Sequence, residues 1–366
     1  MVDLAQNDAT PADRGSETTL QDAARLYLGA QDSGVYASNA THILERWIGW
    51  AEDRGVRNID EVSKRLLTNY ATRLRRRTES NAIAASTAQN YFDVVAGLLT
   101  YAARRDWLQS NPARTEAAEN ELPAVDDGGR TTQQFWSPAT REEIVRWADW
   151  RAEDALDHDW MDGEAAVRDR ALVAIFAYSG VRGSEVVRDP RDDRRDGLNW
   201  DNVDFDGAKL EVYGKGMKTQ HAPFPERARR FVRAHKRRQN PPDESWPVFR
   251  TRHLPTLYGG LPDDVEGVTP ANVLDLYREH EITPPTLSTS GARSIIEALC
   301  EESGIREDGE KLRPHGARRG LGDTLYRRNP ELAQQALRHQ SIDVTNESYR
   351  HVQTGEVSEG IDDVLE

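Results

Sequence analysis

The sequence predicts a mainly α-helical protein with two domains: an N-terminal four-helix bundle, and a C-terminal α+β domain of mostly helices with a small antiparallel sheet. The chain has 366 residues, which is more than one domain usually holds. Apolar residues recur at helical spacing through most of it. One segment, residues 209–224, instead alternates apolar and polar residues around a Gly-Lys-Gly turn, as a β-hairpin does.

The N-terminal domain is expected over residues 18–112, after a polar, disordered tail at 1–17. Its predicted helices cover about 19–30, Ser38 (as N-cap) to Gly55, Asp60 to beyond Leu74, and about Ser86 to Trp107. Asn111-Pro112 then stops the helical pattern. Four helices of this size are enough to close a small bundle.

A linker is expected over residues 113–136, because this segment loses helical periodicity and gains proline, glycine and acid. The second domain is expected over 137–352, with a tail at 353–366. Its first helix begins at Ser137, and further helices are predicted at about 165–178, 226–238, 270–279, 288–304, 315–328 and 330–337.

The charge balance does not look like that of a DNA-binding protein, since the net charge is −14. Only six of the 48 basic residues are lysines. An acidic, lysine-poor chain is typical of a haloarchaeal cytoplasm, where negative charge keeps proteins soluble in concentrated salt. A GC-rich genome, in which arginine codons displace lysine codons, explains the same composition.

Targeting signals are not evident in the sequence. The polar N-terminus lacks the apolar core of a secretory signal, and no apolar run reaches the roughly 18–20 residues of a membrane span. A single cysteine, Cys300, excludes a disulfide framework and a multi-cysteine metal site. We expect a soluble cytoplasmic protein that does not bind membranes.

Four short motifs contain the candidate functional residues. They place Arg182 after a glycine break, Lys215 at the hairpin tip, His315 and Arg318 on one helix face, and His339 ahead of Tyr349. Each motif alone has an ordinary structural explanation. Arg182 can pair with Glu185, Lys215 can be a solvated turn residue, and a tyrosine near a C-terminus is more often a packing residue.

In order and spacing, the motifs resemble the phage integrase family of tyrosine recombinases, and its Xer-like members in particular. The family pattern T/S-G-x-R-x-S-E, G-K-G-x-K, H-x-x-R, L-G-H and a late tyrosine is represented here by SGVRGSE, GKGMK, HGAR, LRH and SYRHV. S-x-A-T in the second helix and S-T-A-Q-N-Y with NPA around the fourth resemble the family's core-binding domain. The resemblance covers about residues 18–352 and implies a SAM-like first domain.

Two features depart from the family pattern. Tyr349 lies ten residues after His339, where nine is usual in Xer-like members. Arg338 precedes His339, where the family pattern usually has a glycine. Arg319 directly follows the arginine of the H-x-x-R motif, where the family often has a histidine. All the motifs are still present despite these departures, but the sequence does not determine the geometry around His339.

The resemblance implies a DNA strand-transfer reaction through a phosphotyrosine, without metal, cofactor or ATP. Two arginines suit the negative charge that develops on phosphorus, because a guanidinium is a fixed, permanently charged donor. A phenol with a pKa near 10 needs help to lose its proton. The implied roles are Arg182 and Arg318 on the phosphate, Tyr349 as nucleophile, His315 as base, Lys215 as acid to the leaving oxygen, His339 as hydrogen-bond donor, and Glu185 as the residue that orients the cluster.

Basic clusters outside these motifs are candidates for contacts to the DNA backbone. They contain Arg73, Arg75, Arg76 and Arg77 at the end of the third helix, and Lys218, Arg230 and Arg233 in and after the hairpin. Solvated basic faces are the alternative for each cluster. The implied partner is double-stranded DNA with a specific recombination site, clamped by both domains and bound as four protomers on two duplexes.

Two other functions fit parts of the pattern. A type IB topoisomerase uses a similar site to relax supercoils, although the short catalytic domain favours a recombinase. A DNA-binding protein that has lost activity is less well supported, because every catalytic residue type is present. Whether the task is integration of a mobile element or resolution of dimers is left open by the sequence.

Overall fold

A computed structural model describes residues 18–31, 34–124, 133–158, 162–214, 218–350 and 352. This part of the chain is mostly helical with a three-stranded antiparallel sheet, which confirms the predicted fold class. The chain divides into two compact units between residues 131 and 132. Within the described ranges, no helix has the length and apolar character needed to cross a bilayer.

Unit 1 is a helical bundle around one apolar core. Its helices are α1 (Leu20–Gly29), α2 (Gly34–Glu52), α3 (Lys64–Glu79), α4 (Ala85–Arg104) and the short α5 (Glu116–Glu119). The side chains of Thr19 and Ser63 cap α1 and α3 by accepting hydrogen bonds from backbone N–H groups of the first turn. Leu44, Trp47 and Phe92 are fully buried in the core.

Two helix ends differ from the prediction for physical reasons. The predicted cap Ser38 lies inside α2, which begins at Gly34. The Tyr36 hydroxyl bonds the Tyr27 hydroxyl at 2.5 Å, so contact with α1 fixes the earlier turn. At the other end of the bundle, α4 stops before Trp107, because Asp106 adopts a positive φ of 59°.

The first part of the predicted linker is packed onto unit 1. Ala113 and Ala118 are fully buried in its core, and Glu121 accepts one hydrogen bond from the Thr72 hydroxyl on α3. At the other end of the segment, Trp136 is fully buried in the core of unit 2. The described parts of the predicted linker therefore contain the short helix α5 and residues that are packed into the cores of the two units.

Unit 2 is a helical domain arranged around a central buried helix. Its helices are α6 (Pro138–Asp157), α7 (Gly163–Tyr178), α8 (Gly183–Val186), α9 (Glu226–Gln239), α10 (Leu254–Tyr258), α11 (Val273–Glu279), α12 (Thr289–Ser303), α13 (Pro314–Tyr326), α14 (Pro330–Leu337) and α15 (Ile342–Ser348). In α7 every residue from 166 to 177 is buried. A helix buried on all sides belongs at the centre of a domain, and α7 contacts α6, α9 and α13 there.

The sheet contains the predicted hairpin and one further short strand. Its strands are β1 (Val203–Asp204), β2 (Lys209–Tyr213) and β3 (Thr219–Pro223), in the order β1-β2-β3. Leu210 pairs with Ala222, and both face the core, while their neighbours Glu211 and His221 are exposed. Residues 215–217 at the hairpin tip, including the predicted Lys215, lie outside the described residues.

Helix α13 packs against the segment before α6 through a glycine. A Cβ on Gly320 would fall far inside the contact distance of the Trp136 backbone. In the same region Trp136 N donates to Gly316 O at 3.0 Å. The glycines thus allow α13, which contains two of the candidate active-site residues, to lie directly on the chain around Trp136.

We expect Gly320→Ala to lower the free energy of unfolding of unit 2 by about 3 kcal/mol, because the helix must move away from Trp136. Gly49→Ala is the control, since nothing lies within 4 Å of the added methyl on α2. That change should be neutral or stabilising by up to about 1 kcal/mol. Calorimetric unfolding measures both, and equal effects would contradict the packing described here.

Candidate active site

Arg182 is positioned by a turn between α7 and α8. Gly180 takes a positive φ of 59°, and a Cβ there would lie only 3.1 Å from Ala336 O, so glycine is needed for both conformation and space. Glu185 then accepts the Arg182 backbone N–H at 2.7 Å and the Arg182 Nη1 at 2.8 Å. The Glu185 side chain is completely buried, whereas 28% of the Arg182 side chain is exposed.

Arg318 is buried on α13 and links three parts of the chain. Its Nη1 donates to Gly180 O, and its Nη2 donates to Leu337 O at 2.5 Å. Burial, together with the positive charge of Arg182, lowers the pKa of Arg318 to about 9, so the guanidinium stays protonated at neutral pH. The side chain therefore presents a fixed positive charge beside Arg182.

The two histidines lie at the edge of the same cluster. His315 is in the first turn of α13, and His339 follows α14, where its Nδ1 lies 3.0 Å from Thr345 Oγ1. Desolvation by the surrounding chain, and then Arg319, Arg318 and Arg182, lower the pKa of His315 to about 4, although the residue as a whole is exposed. Desolvation and three arginines likewise lower the pKa of His339 to about 4. Both imidazoles are neutral at pH 7.

Tyr349 follows α15 and is buried beside the cluster, with 3% of the residue exposed. Its ring centroid lies 5.4 Å from that of Tyr326 and 6.4 Å from that of Phe135. The phenol oxygen lies directly against the Gly322 Cα, where any side chain would collide with it. Burial raises the pKa of Tyr349 to about 12, although Arg318 acts in the opposite direction.

Arg338 also belongs to this cluster. In the sequence it stood out only as a departure from the family pattern. Its Nη2 donates to Glu185 Oε2 at 2.5 Å, and only 7% of its side chain is exposed. The signal in the sequence that could have identified it was a large residue at a helix end, where glycine is usual.

The structure brings most of the predicted site residues together. Arg182, Glu185, His315, Arg318 and His339 meet in one place, and Tyr349 lies next to them. Lys215 lies outside the described residues.

The basic residues at the end of α3 point in two directions. Arg73, Arg76 and Arg77 line a basin of about 560 Å³ together with Arg54, which lies 4.2 Å over the Trp50 ring. The described residues that line this basin include no acid: Trp50, Arg54, Asn69, Thr72, Arg73, Arg76, Arg77 and Ser80. Arg75 instead turns away and pairs with Glu121 at 2.9 Å and with Glu79 at 3.6 Å.

The basic face of α9 is largely neutralised by acids. Arg233 lies 3.9 Å from Glu226, and its guanidinium carbon lies 5.2 Å over the Phe205 ring. Arg230 lines a groove that also contains Glu142, Asp149 and Glu226. Lys218, which directly precedes β3, is exposed. The α3 basin is therefore the more strongly basic of the two surfaces.

The chain is similar in sequence to known proteins. The model of the phage integrase family matches residues 152–356. Tyrosine recombinase XerD of Corynebacterium glutamicum is 24% identical over 318 residues, which are 86% of each chain. Tyrosine recombinase XerC of Pseudomonas fluorescens is 25% identical over 317 residues, covering 84% of this chain and 82% of that protein.

Solved structures show the same fold. A Tn1549 transposon integrase in complex with transposon right end DNA has a TM-score of 0.58 at 14% identity, covering 94% of this chain and 99% of that one. The XerH site-specific recombinase bound to its difH substrate has a TM-score of 0.52 at 15% identity, covering 84% and 74%. Because the family model spans more than half of the chain, including the cluster around Arg182 and Arg318, the protein belongs to the phage integrase family of tyrosine recombinases.

Proposed function

We propose that the protein is a site-specific recombinase that cleaves and rejoins double-stranded DNA through a 3′-phosphotyrosyl bond to Tyr349. The observation that carries the proposal is that Arg182, which is bonded to the buried Glu185, and Arg318, which is bonded to Gly180 O, lie within electrostatic range of each other, with Tyr349 beside Arg318. Residues 18–112 would be the core-binding domain and 137–352 the catalytic domain. The same arrangement supports the assignment of Glu185 as the residue that orients Arg182.

Charge explains why this cluster suits a phosphodiester. Three guanidiniums, those of Arg182, Arg318 and Arg338, surround the single carboxylate of Glu185. The neutral imidazoles of His315 and His339 leave this excess of positive charge unchanged. Fixed donors that face a developing negative charge are usually the largest catalytic contribution. A five-coordinate phosphorus, which carries more negative charge than the ground state, is therefore the species the cluster would stabilise most.

Tyr349 must move to act as the nucleophile in this mechanism. In the structure its hydroxyl lies against α13 among aromatic rings, and burial favours the neutral phenol. Attack on phosphorus requires the segment after α15 to bring the phenol toward Arg182 and Arg318, where the positive field stabilises the phenolate. His315, neutral at pH 7, is the base that accepts the proton and returns it on rejoining.

Two further roles complete the proposed reaction. Lys215 protonates the departing 5′-oxygen, and His339 donates a hydrogen bond to the transition state. The phosphotyrosyl ester conserves the energy of the broken bond, so the reverse attack by a DNA hydroxyl needs no ATP. The guanidiniums supply the positive charge that a metal ion provides in other phosphoryl-transfer sites, so the proposed mechanism uses no metal.

Recognition of DNA is proposed to use the basin on α3 for backbone contacts, with Arg73, Arg76 and Arg77 as its cations. Arg75, Arg230 and Arg233 are weaker candidates, because acids lie beside each of them. Lys218 follows the hairpin tip and would act beside Lys215. An acid-rich surface with an arginine-lined basin also fits the hypothesis of a haloarchaeal source.

The proposed assembly is a homotetramer on two duplexes in the cytoplasm, with residues 353–366 as a tail that docks on a neighbouring protomer. The task is integration or excision of a mobile element, or resolution of DNA dimers. A plasmid that carries two copies of a candidate site from the DNA beside the gene tests this directly. Deletion or inversion between the copies is the expected product.

Replacement of Tyr349 by Phe should abolish covalent protein–DNA adducts on a nicked suicide substrate, while affinity for the DNA is retained. Tyr326→Phe is the matched control, because Tyr326 is a neighbouring buried phenol whose hydroxyl bonds Asn346 at 2.8 Å. This control should form adducts at a rate within a few-fold of the wild type. Undiminished adduct with Tyr349→Phe would refute the assignment.

The pH dependence of cleavage should reflect the low pKa of the proposed base. A pKa lowered to about 4 keeps His315 neutral, and able to accept a proton, throughout pH 5–8. The acid limb of the kcat/KM profile should thus lie well below the ordinary histidine pKa of about 6.5. A limb centred near 6.5, in protein shown by fluorescence to be folded there, would contradict this role.

Binding of DNA should depend on salt through the α3 basin. The double change Arg73→Gln and Arg76→Gln should weaken binding and reduce the slope of log K against log salt by about 0.9 for each lost phosphate contact. Arg75→Gln, one position away but paired with Glu121, should leave the slope unchanged. Equal slopes for both proteins in a fluorescence-anisotropy titration would rule out the basin as a backbone site.

A further inference from the structure

We propose that Arg338 is a positioning residue that offsets the charge of Glu185, so that the guanidinium of Arg182 remains available to the scissile phosphate. The inference rests on the proposed function and adds a residue for which the family pattern has glycine. Arg338 lies 156 positions after Arg182 in the sequence, yet both donate to the same carboxylate.

The backbone of Arg338 adopts a conformation that favours glycine. It ends α14 with φ 56° and ψ 44°, in the left-handed region, and its N–H donates back to Gln335 O at 3.1 Å. Glycine is the usual residue at such a helix end, because a Cβ is strained there. A large residue in this conformation requires a compensating interaction of its side chain.

The Arg338 side chain makes such a compensating interaction with Glu185. Elsewhere in the described chain, five of the other non-glycine residues with positive φ are exposed: Asn81, Asp106, Asn240, Glu281 and Asp308. The sixth, Ala208, is partly exposed. Arg338 instead turns inward, so that 7% of its side chain is exposed, and donates Nη2 to Glu185 Oε2 at 2.5 Å. Among the described residues, its buried Nε has no hydrogen-bond acceptor.

Glu185 is shared by three donors. Oε1 accepts from Arg182 Nη1 at 2.8 Å, and Oε2 accepts from the Arg182 backbone N–H at 2.7 Å as well as from Arg338. The carboxylate is fully buried, so its charge is poorly screened. If Arg182 were the only cation bonded to Glu185, the carboxylate would cancel the positive charge that Arg182 offers to a phosphate. With Arg338 present, the three groups carry a net charge of about +1.

The difference in exposure separates the two arginines by role. Arg182 keeps 28% of its side chain exposed and can reach an incoming phosphate, whereas Arg338 is enclosed behind Glu185. Arg338 therefore acts through Glu185 on Arg182 and does not touch the reacting atoms.

The test replaces Arg338 with Gly, which removes the side chain and relieves the backbone at the same time. We expect a Tm near or below that of the wild type, because the relieved backbone offsets part of the lost buried ion pair. DNA affinity should stay within about twofold, and the single-turnover cleavage rate should fall at least about tenfold, as is usual for residues that orient an active-site group. Glu281→Gly is the control for the backbone effect, because Glu281 has a φ of 54° and lies on an exposed turn. It should cleave like the wild type.

A double-mutant cycle with Glu185→Gln distinguishes charge compensation from simple packing. When residue 185 is uncharged, Arg338→Gly should cost much less than about tenfold, because no buried negative charge is left to offset. Equal losses in the two backgrounds would overturn the inference. So would a wild-type cleavage rate in Arg338→Gly itself.

A pair of variants that keep a polar side chain, one charged and one neutral, provides a second test should Arg338→Gly fold poorly. Arg338→Lys retains the charge and should keep most of the activity, whereas Arg338→Gln should lose as much as the glycine variant. Equal activity of the two would overturn the inference. If the wild-type protein itself forms no adduct, the proposed function fails first and this inference with it, which separates the two failures.

Discussion

The arrangement around the site depends on the need to pair a buried guanidinium. Arg318 is 4% exposed and donates to the carbonyls of Gly180 and Leu337, which end or follow two different helices. An unpaired charge at that depth would be very costly, so the turn after α7 and the end of α14 must stay close to α13. The same contact brings Arg182 and Glu185 from one side, and Arg338 and His339 from the other, to a common place. The geometry of the proposed active site and the stability of the fold thus depend on the same side chain.

Arginine chemistry also explains why the net charge of −14 misleads. Many arginines are internal structural groups: Arg151 bonds Glu302 at 2.7 Å, and Arg170 bonds Asp149 at 2.7 Å. Acids on the surface of α9 likewise neutralise its basic residues. What matters for a polyanionic partner is where cations outnumber acids locally. In the described structure the α3 basin, whose lining residues include no acid, and the cluster of Arg182, Arg318 and Arg338 around Glu185 are such places. The net charge of the whole chain does not reveal such local excesses of positive charge.

Sequence periodicity and spacing predicted much of this structure, because they reflect local physics. The helices and the hairpin follow from apolar spacing, and the grouping of Arg182, His315 and Arg318 was implied by the resemblance of their motifs to a family pattern. The direction in which a side chain points does not follow from spacing or motifs. Arg75 and Arg76 are adjacent in sequence, yet one pairs with Glu121 and the other lines the basin. Arg338 at a glycine position signalled an irregularity, but only tertiary contact with Glu185 shows its use. The burial of Tyr349 likewise depends on packing against Gly322, which no motif encodes.

The central claim is that the chemistry occurs at Tyr349 beside the arginine cluster, and mapping the covalent adduct tests it most directly. The wild-type protein would be trapped on a nicked suicide substrate, digested with trypsin and analysed by mass spectrometry. The account predicts a nucleotide on the peptide covering residues 339–350, whose only tyrosine is Tyr349. A nucleotide on the peptide covering 320–327, which contains Tyr326, or the absence of any adduct, would contradict it.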